Sequence, residues 1–127
     1  MSGAPAVALD HDKIAILEET LGADMVAEMV KQLFQEMSSR TAALRAAGDV
    51  ETIRSQGHAL SALTGNFAMT RAFEICGQIR QQAPAGDMAS MRALAIELSQ
   101  AVMAGLEELR RRYHRAGHVP AQDTVGR

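Results

Sequence analysis

The chain has 127 residues, of which 47% are hydrophobic, and this is the size of one domain with enough apolar residues for a core. Its formal net charge of -2 argues against a general nucleic-acid or membrane-surface binder, because such proteins need a basic face. The single cysteine, Cys76, excludes an internal disulfide. No run reaches the roughly 18 apolar residues of a membrane span, and the first residues lack a basic-then-apolar signal pattern. We therefore expect a cytoplasmic protein that binds neither membranes nor nucleic acid.

The composition is typical of helices rather than strands. Only 3% of the residues are aromatic, there is no tryptophan, and there are eight methionines. No alternation of apolar and polar residues with a period of two persists. We expect an all-α protein, an antiparallel up-down four-helix bundle with an extra short N-terminal helix. Its parts would be a flexible N-terminus (1–8), the helical domain (9–115) and a disordered tail (116–127).

The first two predicted helices are separated by a clear break. Asp10 is a candidate N-cap for a short helix from about His11 to Leu21, and Gly22 can end that helix as a left-handed C-terminal cap. A second helix is predicted from Ala23 to about Ala47. Gly48-Asp49 then ends this helix and caps the third. So short a connection requires the second and third helices to run antiparallel.

The remaining helices are delimited in the same way. The third is predicted from Val50 to near Met69-Thr70, and the fourth from Arg71 to about Gln82. The fourth helix is expected to direct three side chains inward: Phe73, Cys76 and Ile79. Residues 83–86, APAG, end it, and Asp87 or Ser90 can cap the longest helix. The core-facing stripe of that last helix is nearly heptad-spaced and consists of Met91, Leu94, Leu98, Val102, Leu109 and Tyr113.

The stretch 57–69, GHALSALTGNFAM, is centred on a histidine that faces away from the core. At about 100 degrees per residue, His58 lies roughly 160 degrees from the middle of the apolar stripe of its helix. That stripe consists of Ile53, Leu60, Leu63 and Phe67. The neighbours of His58 on the opposite side are mostly small: Glu51, Arg54, Ser55, Ser61, Ala62 and Gly65. Because Gly57 and Gly65 each cost a helix up to about 1 kcal/mol relative to alanine, they indicate close approach of another molecule or helix.

The segment LRAAGDVETIRSQGHAL leads into the histidine, and the segment NFAM follows it. On these motifs and the order of its elements, the chain from about Leu9 to Tyr113 resembles a histidine-containing phosphotransfer (HPt) domain. The family pattern around the histidine reads roughly His-x-Leu-Lys-Gly-Ser-Ser-x-Asn-Leu-Gly-Ala. The positions that match this pattern are His58, Leu60, Asn66 and the apolar Phe67. In the next helix, a Leu-x-x-Cys-x-x-Leu pattern is matched by Phe73, Cys76 and Ile79.

HPt domains pass phosphoryl groups between histidine kinases and receiver domains in multistep two-component signalling. The resemblance implies that His58 is the phosphorylated nucleophile and that the chain is a phosphocarrier without kinase activity. The implied partners are the receiver domains of response regulators and a hybrid sensor histidine kinase. No metal or cofactor is expected in this chain, because Mg²⁺ would come from the receiver. The expected form is a monomer.

Two positions depart from the family pattern. The lysine that usually follows the histidine by three residues is Ser61 here, and the glycine after it is Ala62. Serine can donate one hydrogen bond to a phosphoryl oxygen but brings no charge. Arg54, about one helical turn before His58, is a candidate for the missing positive charge. The residues expected at the phosphoryl and docking surface are Arg54, Ser55, Ser61, Ala62, Gly65 and Gln78.

Other interpretations remain open. One is a bundle that kept the HPt shape and binds receivers or kinases without carrying phosphate, which Ser61 and Ala62 suggest. Another is a helical protein that binds a partner or nucleic acid through the basic run between Arg110 and Arg115. The other histidines, His11, His114 and His118, lack the spacing of metal ligands and are expected to be idle.

Overall fold

The structure is a computed structural model that describes residues 6–115, with side chains through residue 113. This part of the chain contains five α-helices and no strand, which confirms the all-α class. The helices are α1 (His11–Leu21), α2 (Ala23–Ala46), α3 (Val50–Asn66), α4 (Thr70–Gln82) and α5 (Met88–Arg115). A short 3-10 turn, Ala83–Ala85, separates α4 from α5. The expected tail, 116–127, and most of the expected flexible N-terminus lie outside the described residues.

The predicted start and end of α1 are confirmed. The Asp10 side chain accepts hydrogen bonds from two backbone N–H groups of the first turn, at 3.1 and 3.3 Å. These donors would otherwise have no partner within the helix. Gly22 has the positive φ expected of it, 91°, but its ψ of 141° places it outside the left-handed helical region. Helix α2 begins at the next residue.

The short connection between α2 and α3 falls at the predicted Gly48-Asp49 pair. Asp49 caps α3, because its carboxylate accepts from the backbone N–H of Thr52 at 2.7 Å. Gly48 lies in the turn as predicted, but it has no positive φ, so the turn does not depend on a left-handed glycine. Instead Ala47 leaves α2 in an extended conformation that any residue can adopt.

Helix α3 ends at Asn66, which is earlier than the predicted end near Met69-Thr70. The backbone N–H of Met69 donates to the carbonyl of Thr64 at 2.9 Å. The N–H of Ala68 donates to the carbonyl of Gly65 at 3.4 Å, and Ala68 has a left-handed φ of 60°. Together these bonds form the Schellman motif that closes a helix, with alanine where glycine is usual. The prediction was wrong because the apolar residues of this turn continue the pattern of a helix.

One hydrophobic core lies between the helices. Helix α2 packs against both α3 and α5, and helix α4 also packs against both of them. Helix α1 packs on α2. The largest fully buried side chains include Met37, Leu60, Ile79 and Leu98, one from each of the four longer helices. Two backbone hydrogen bonds join the segment before α1 to the end of α3 and the start of α4. The Asp10 N–H donates to the Ala68 carbonyl at 2.8 Å, and the Arg71 N–H donates to the Val7 carbonyl at 2.9 Å. No helix within residues 6–115 is both long and apolar enough to cross a membrane.

Phe73 does not point inward as predicted. It is 47% exposed, whereas Ala72 is only 1% exposed. The core stripe of α4 consists of Ala72, Ile75, Cys76 and Ile79. This spacing of three, four and seven residues is that of a single helix face, so Phe73 lies one residue to the side of it. Its ring instead covers the surface of α3 beside Gly65.

Candidate functional site

His58 lies at the centre of α3, and its side chain is exposed. It makes no hydrogen bond or ion pair with any other residue of the described range. The apolar face of α3 is buried on the opposite side, where Ile53 is 1% exposed and Leu60 is fully buried. The imidazole is therefore held on a rigid helix by its neighbours while both ring nitrogens remain accessible.

A small cavity of about 90 Å³ lies beside His58, between α3 and α4. This exceeds the volume of roughly 10–15 Å³ that one water requires by the same measure, so the cavity has room for water or for a small anion. Its walls are formed by Arg54, Gly57, His58, Ser61, Cys76, Ile79 and Arg80. The structure thus brings together three of the predicted site residues, Arg54, His58 and Ser61.

The two glycines of α3 are explained by the approach of α4. A Cβ atom at the buried Gly57 would lie 3.2 Å from Cγ2 of Ile79. A Cβ atom at Gly65 would lie 3.2 Å from the Phe73 ring. Such contacts are tighter than ordinary van der Waals distance, so glycine lets the two helices come close on both sides of His58. Of the alternatives that the sequence left open, the neighbour at both positions is a helix.

Arg54 lines the cavity, but its guanidinium is already hydrogen-bonded to a carboxylate. Its Nε donates to Oε1 of Glu51 at 2.9 Å, and its Nη2 donates to the other carboxylate oxygen. Both side chains are exposed on α3. The hydrogen bonds from Arg54 lower the pKa of Glu51, and those same bonds raise the pKa of Arg54. The charge that Arg54 offers to the cavity is therefore partly compensated.

Arg80 is the cation that sequence reasoning missed. Its side chain is exposed on α4 and lines the cavity opposite Arg54. Nη2 of Arg80 is 3.9 Å from the position of a Cβ atom on Gly77, so the side chain folds back along α4 over this glycine. Within residues 6–115 Arg80 has no hydrogen bond or ion pair. The available signal was its position four residues after Cys76, which puts both on one face of α4.

Cys76 forms part of the cavity wall and is chemically inert there. Its side chain is buried, as predicted for a core residue. Burial raises the pKa of the thiol to about 11, although a hydrogen bond with Thr64 and the charge of Arg80 oppose this. The thiolate is the reactive form of cysteine, so a thiol that stays protonated at neutral pH is a poor nucleophile.

The other predicted surface residues lie around the cavity rather than in it. Ser55, Ala62 and Gly65 are exposed on α3, and Gln78 is exposed on α4, but none of them lines the cavity. Ala62 lies one helical turn after His58. Phe73, which the sequence pattern placed in the core, instead adds an exposed aromatic ring next to Gly65.

His11 is not idle, contrary to expectation. Its Nε2 lies 2.8 Å from Oε1 of Glu108, and its Nδ1 lies 2.9 Å from Nη1 of Arg112. Because arginine can only donate, Nδ1 must accept, and the ring proton must lie on Nε2. Both nitrogens are thus used to hold α1 against α5.

The basic run at the end of α5 is largely paired with carboxylates. Arg110 and Arg111 both contact Glu107, at 2.7 and 3.6 Å. Arg112 forms two hydrogen bonds with Glu18 of α1, at 2.9 and 3.3 Å. These carboxylates reduce the positive charge available for a nucleic acid, and they weaken the reason for assigning this end of the helix such a role.

Neither a metal site within residues 6–115 nor a known relative assigns a function to this site. In the part of the chain that the structure describes, no group of three or more His, Cys, Asp or Glu side chains is arranged to hold a metal ion. Comparison with protein-family models, curated proteins and solved structures gives no match to this chain. The functional interpretation therefore depends on the residues of the His58 site and their arrangement.

Proposed function

We propose that this chain is a histidine phosphotransfer protein. His58 accepts a phosphoryl group from a receiver-domain aspartate, or from a histidine kinase, and passes it to another response regulator. The observation that supports this best is the exposed His58 without a partner in the described chain, at the centre of α3 beside a cavity with cationic walls. In this proposal α2 to α5 form an antiparallel up-down four-helix bundle, and α1 is the additional helix.

The transfer step requires little from the carrier itself. The unprotonated ring nitrogen of His58 attacks the phosphorus of an aspartyl phosphate, forming an N–P bond. The P–O bond to the aspartate breaks, and its electron pair remains on the carboxylate. Transfer to the next receiver reverses these changes. Catalysis of phosphoryl transfer consists mainly of positioning and charge neutralisation, and a rigid helix with cations nearby provides both.

The partners follow from this chemistry. They are receiver domains of response regulators and a hybrid sensor histidine kinase, met by a cytoplasmic monomer. Mg²⁺ bound in the receiver neutralises phosphoryl charge during transfer, so the carrier has no cofactor of its own. The carrier is neither a kinase nor a binder of nucleic acids or membranes.

The receiver docks on the surface around His58. On α3 this surface is low because its exposed residues, Ser55, Ala62 and Gly65, have small side chains or none. The exposed ring of Phe73 and the amide of Gln78 extend it onto α4. Large aromatic side chains beside small ones are typical anchors of protein interfaces, and Phe73 has that setting.

The test is radiolabel transfer from phosphorylated receivers. We expect acid-labile, alkali-stable label on the wild-type protein and none on His58→Gln. His11→Gln is the matched control, because His11 also lies on a helix surface but has both ring nitrogens occupied. This control variant should take up label as the wild type does. Failure of the wild type to become labelled by any receiver of the source genome would exclude the carrier role.

A second candidate is a bundle that binds receivers or kinases without carrying phosphate. It is favoured by Ser61 and Ala62, which stand where the family has lysine and glycine. This candidate predicts that unphosphorylated receivers bind wild type and His58→Gln equally, with no label on either. Binding measurements on the same two proteins therefore separate it from the first candidate.

A further inference from the structure

A phosphoryl group on His58 would need a cation that the usual position does not supply. Such a group carries a charge of about -1.5 to -2 at neutral pH. Ser61, three residues after the histidine, is neutral and partly buried against the cavity. In the phosphorylated protein free of its receiver, a compensating charge would therefore come from another side chain that lines the same cavity.

The two arginines of the cavity are not equally available for this role. Arg54 is bound by Glu51 through two hydrogen bonds on the same helix, so a phosphoryl group would have to compete with that carboxylate. Arg80 has neither a hydrogen bond nor an ion pair within the described range. Its full charge is available for an anion in the cavity.

The side chain of Arg80 lies along α4 beside the cavity. Ile79 and Cys76, which are buried, form the wall beside it. Gly77 has no side chain to displace the guanidinium, and Nη2 lies 3.9 Å from where its Cβ would be. Glycine at this position therefore leaves the side chain of Arg80 room to lie along α4.

On the basis of the carrier role of His58, we propose that Arg80 binds the phosphoryl group of phosphorylated His58 within the cavity between α3 and α4. The guanidinium presents two N–H groups in one plane, which match two phosphoryl oxygens. Arg80 thus performs from α4 the role that the family assigns to a lysine on the histidine's own helix. Arg54 contributes less, as long as Glu51 holds it.

The test uses a small phosphoryl donor, so that it does not depend on a partner protein. Phosphoramidate transfers its phosphoryl group to an imidazole: the N–P bond to the ring forms, the P–N bond of the donor breaks, and ammonia leaves with a proton. The ³¹P resonance that is absent from His58→Gln belongs to phosphorylated His58. Its pH titration reports the pKa of the phosphoryl group itself.

We expect Arg80→Gln to raise this phosphoryl pKa by about one pH unit, because a nearby cation favours the dianion. Arg80→Lys should retain part of the effect, and Arg54→Gln should change the pKa less than Arg80→Gln does. Arg71→Gln is the matched control, because Arg71 is exposed on the same helix but lines a different cavity. It should leave the titration unchanged. Unaltered circular dichroism of Arg80→Gln would show that the fold is kept.

The outcomes separate this proposal from the carrier role. An unchanged titration in Arg80→Gln, or a larger change in Arg54→Gln, would overturn the role of Arg80 while leaving His58 as the phosphorylated residue. Absence of label from every receiver would exclude the carrier role, whatever the titration shows. With a receiver that does transfer, we expect Arg80→Gln to lower the equilibrium constant for label on His58 relative to the receiver about tenfold, the equivalent of one pH unit.

Discussion

Two helix-surface histidines of this chain have opposite surroundings. His11 on α1 has both ring nitrogens occupied, one by Glu108 and one by Arg112 of α5. His58 on α3 has neither nitrogen occupied by a residue of the described range. Both side chains are exposed, so exposure alone does not make an imidazole available for chemistry. What differs is whether another helix offers it a partner.

The two regions also differ in how their charges are used. At the α1–α5 contact, the carboxylate of Glu18 accepts hydrogen bonds from Arg112 and from the Tyr113 hydroxyl, at 2.9 and 2.8 Å. The paired groups are about one-fifth exposed and hold two helices together. At the His58 site the cation on α4, Arg80, has no such carboxylate. The first arrangement joins two helices, whereas the second leaves the guanidinium of Arg80 without a carboxylate in the described part of the chain.

The largest expected difference between the regions is in the response to loss of an arginine. Arg112→Ala should lower the free energy of unfolding by about 2–3 kcal/mol, because it removes the cation that pairs with the mostly buried Glu18 carboxylate. Arg54→Ala removes a fully exposed pair and should change stability little. Urea denaturation measures both. Equal losses of unfolding free energy in the two variants would mean that the Arg112–Glu18 pair stabilises the fold no more than the exposed Arg54–Glu51 pair does.

A second prediction concerns alkaline pH. Burial raises the pKa of Tyr113 above its ordinary value, and the Glu18 carboxylate raises it further. Burial raises the pKa of Cys76 to about 11. A raised pKa in the folded state means that the group stabilises the fold below its ordinary pKa and that this stabilisation is lost as the pH rises.

We therefore expect the free energy of unfolding to fall from about pH 9 upward, by roughly 2 kcal/mol at pH 11 from Cys76 alone. Cys76→Ala should remove the part of the decline that begins near pH 9. Tyr113→Phe should remove the part that begins near pH 10. Urea denaturation of the three proteins between pH 8 and 11 provides the measurement. A stability that stays constant over this range would contradict the prediction.

The two glycines beside His58 should respond differently to alanine. Gly57→Ala places a methyl group 3.2 Å from the buried Ile79, and we expect a net loss of about 1 kcal/mol after the gain in helix propensity. Gly65→Ala meets the half-exposed ring of Phe73, which can move aside, so no loss is expected. Thermal or urea unfolding compares the pair. A larger loss at Gly65 would mean that Phe73 is held more firmly than its exposure indicates.

The smallest expected effect is at the turn that ends α3. Ala68 adopts a left-handed φ of 60°, where alanine is strained and glycine is not. Ala68→Gly should therefore stabilise the protein by about 0.5–1 kcal/mol. Ala72→Gly, at a buried position in the first turn of α4, is the control and should destabilise the protein. Destabilisation by both substitutions would indicate that the methyl group of the buried Ala68 contributes more by packing than its backbone costs.

Much of the fold and part of the site were predictable from local patterns. The bounds of α1 and the caps at Asp10 and Asp49 follow from rules that involve only a few neighbouring residues. The exposed face of α3 that bears His58 follows from helical periodicity. The end of α3 was predicted wrongly because a short apolar turn and a helix share the same pattern. The exposure of Phe73 was missed because the core-facing stripe of α4 runs through Ala72, one residue to the side.

The sequence by itself determined that this protein is helical, where most of its helices begin, and that His58 faces away from the core, because these properties depend on residues within one or two helical turns. Only the tertiary structure decided that Arg80 and His58 line the same cavity and that Arg112 donates a hydrogen bond to Nδ1 of His11. Both depend on which faces of distant helices meet. That choice is made by packing across the whole core, which local spacing does not encode.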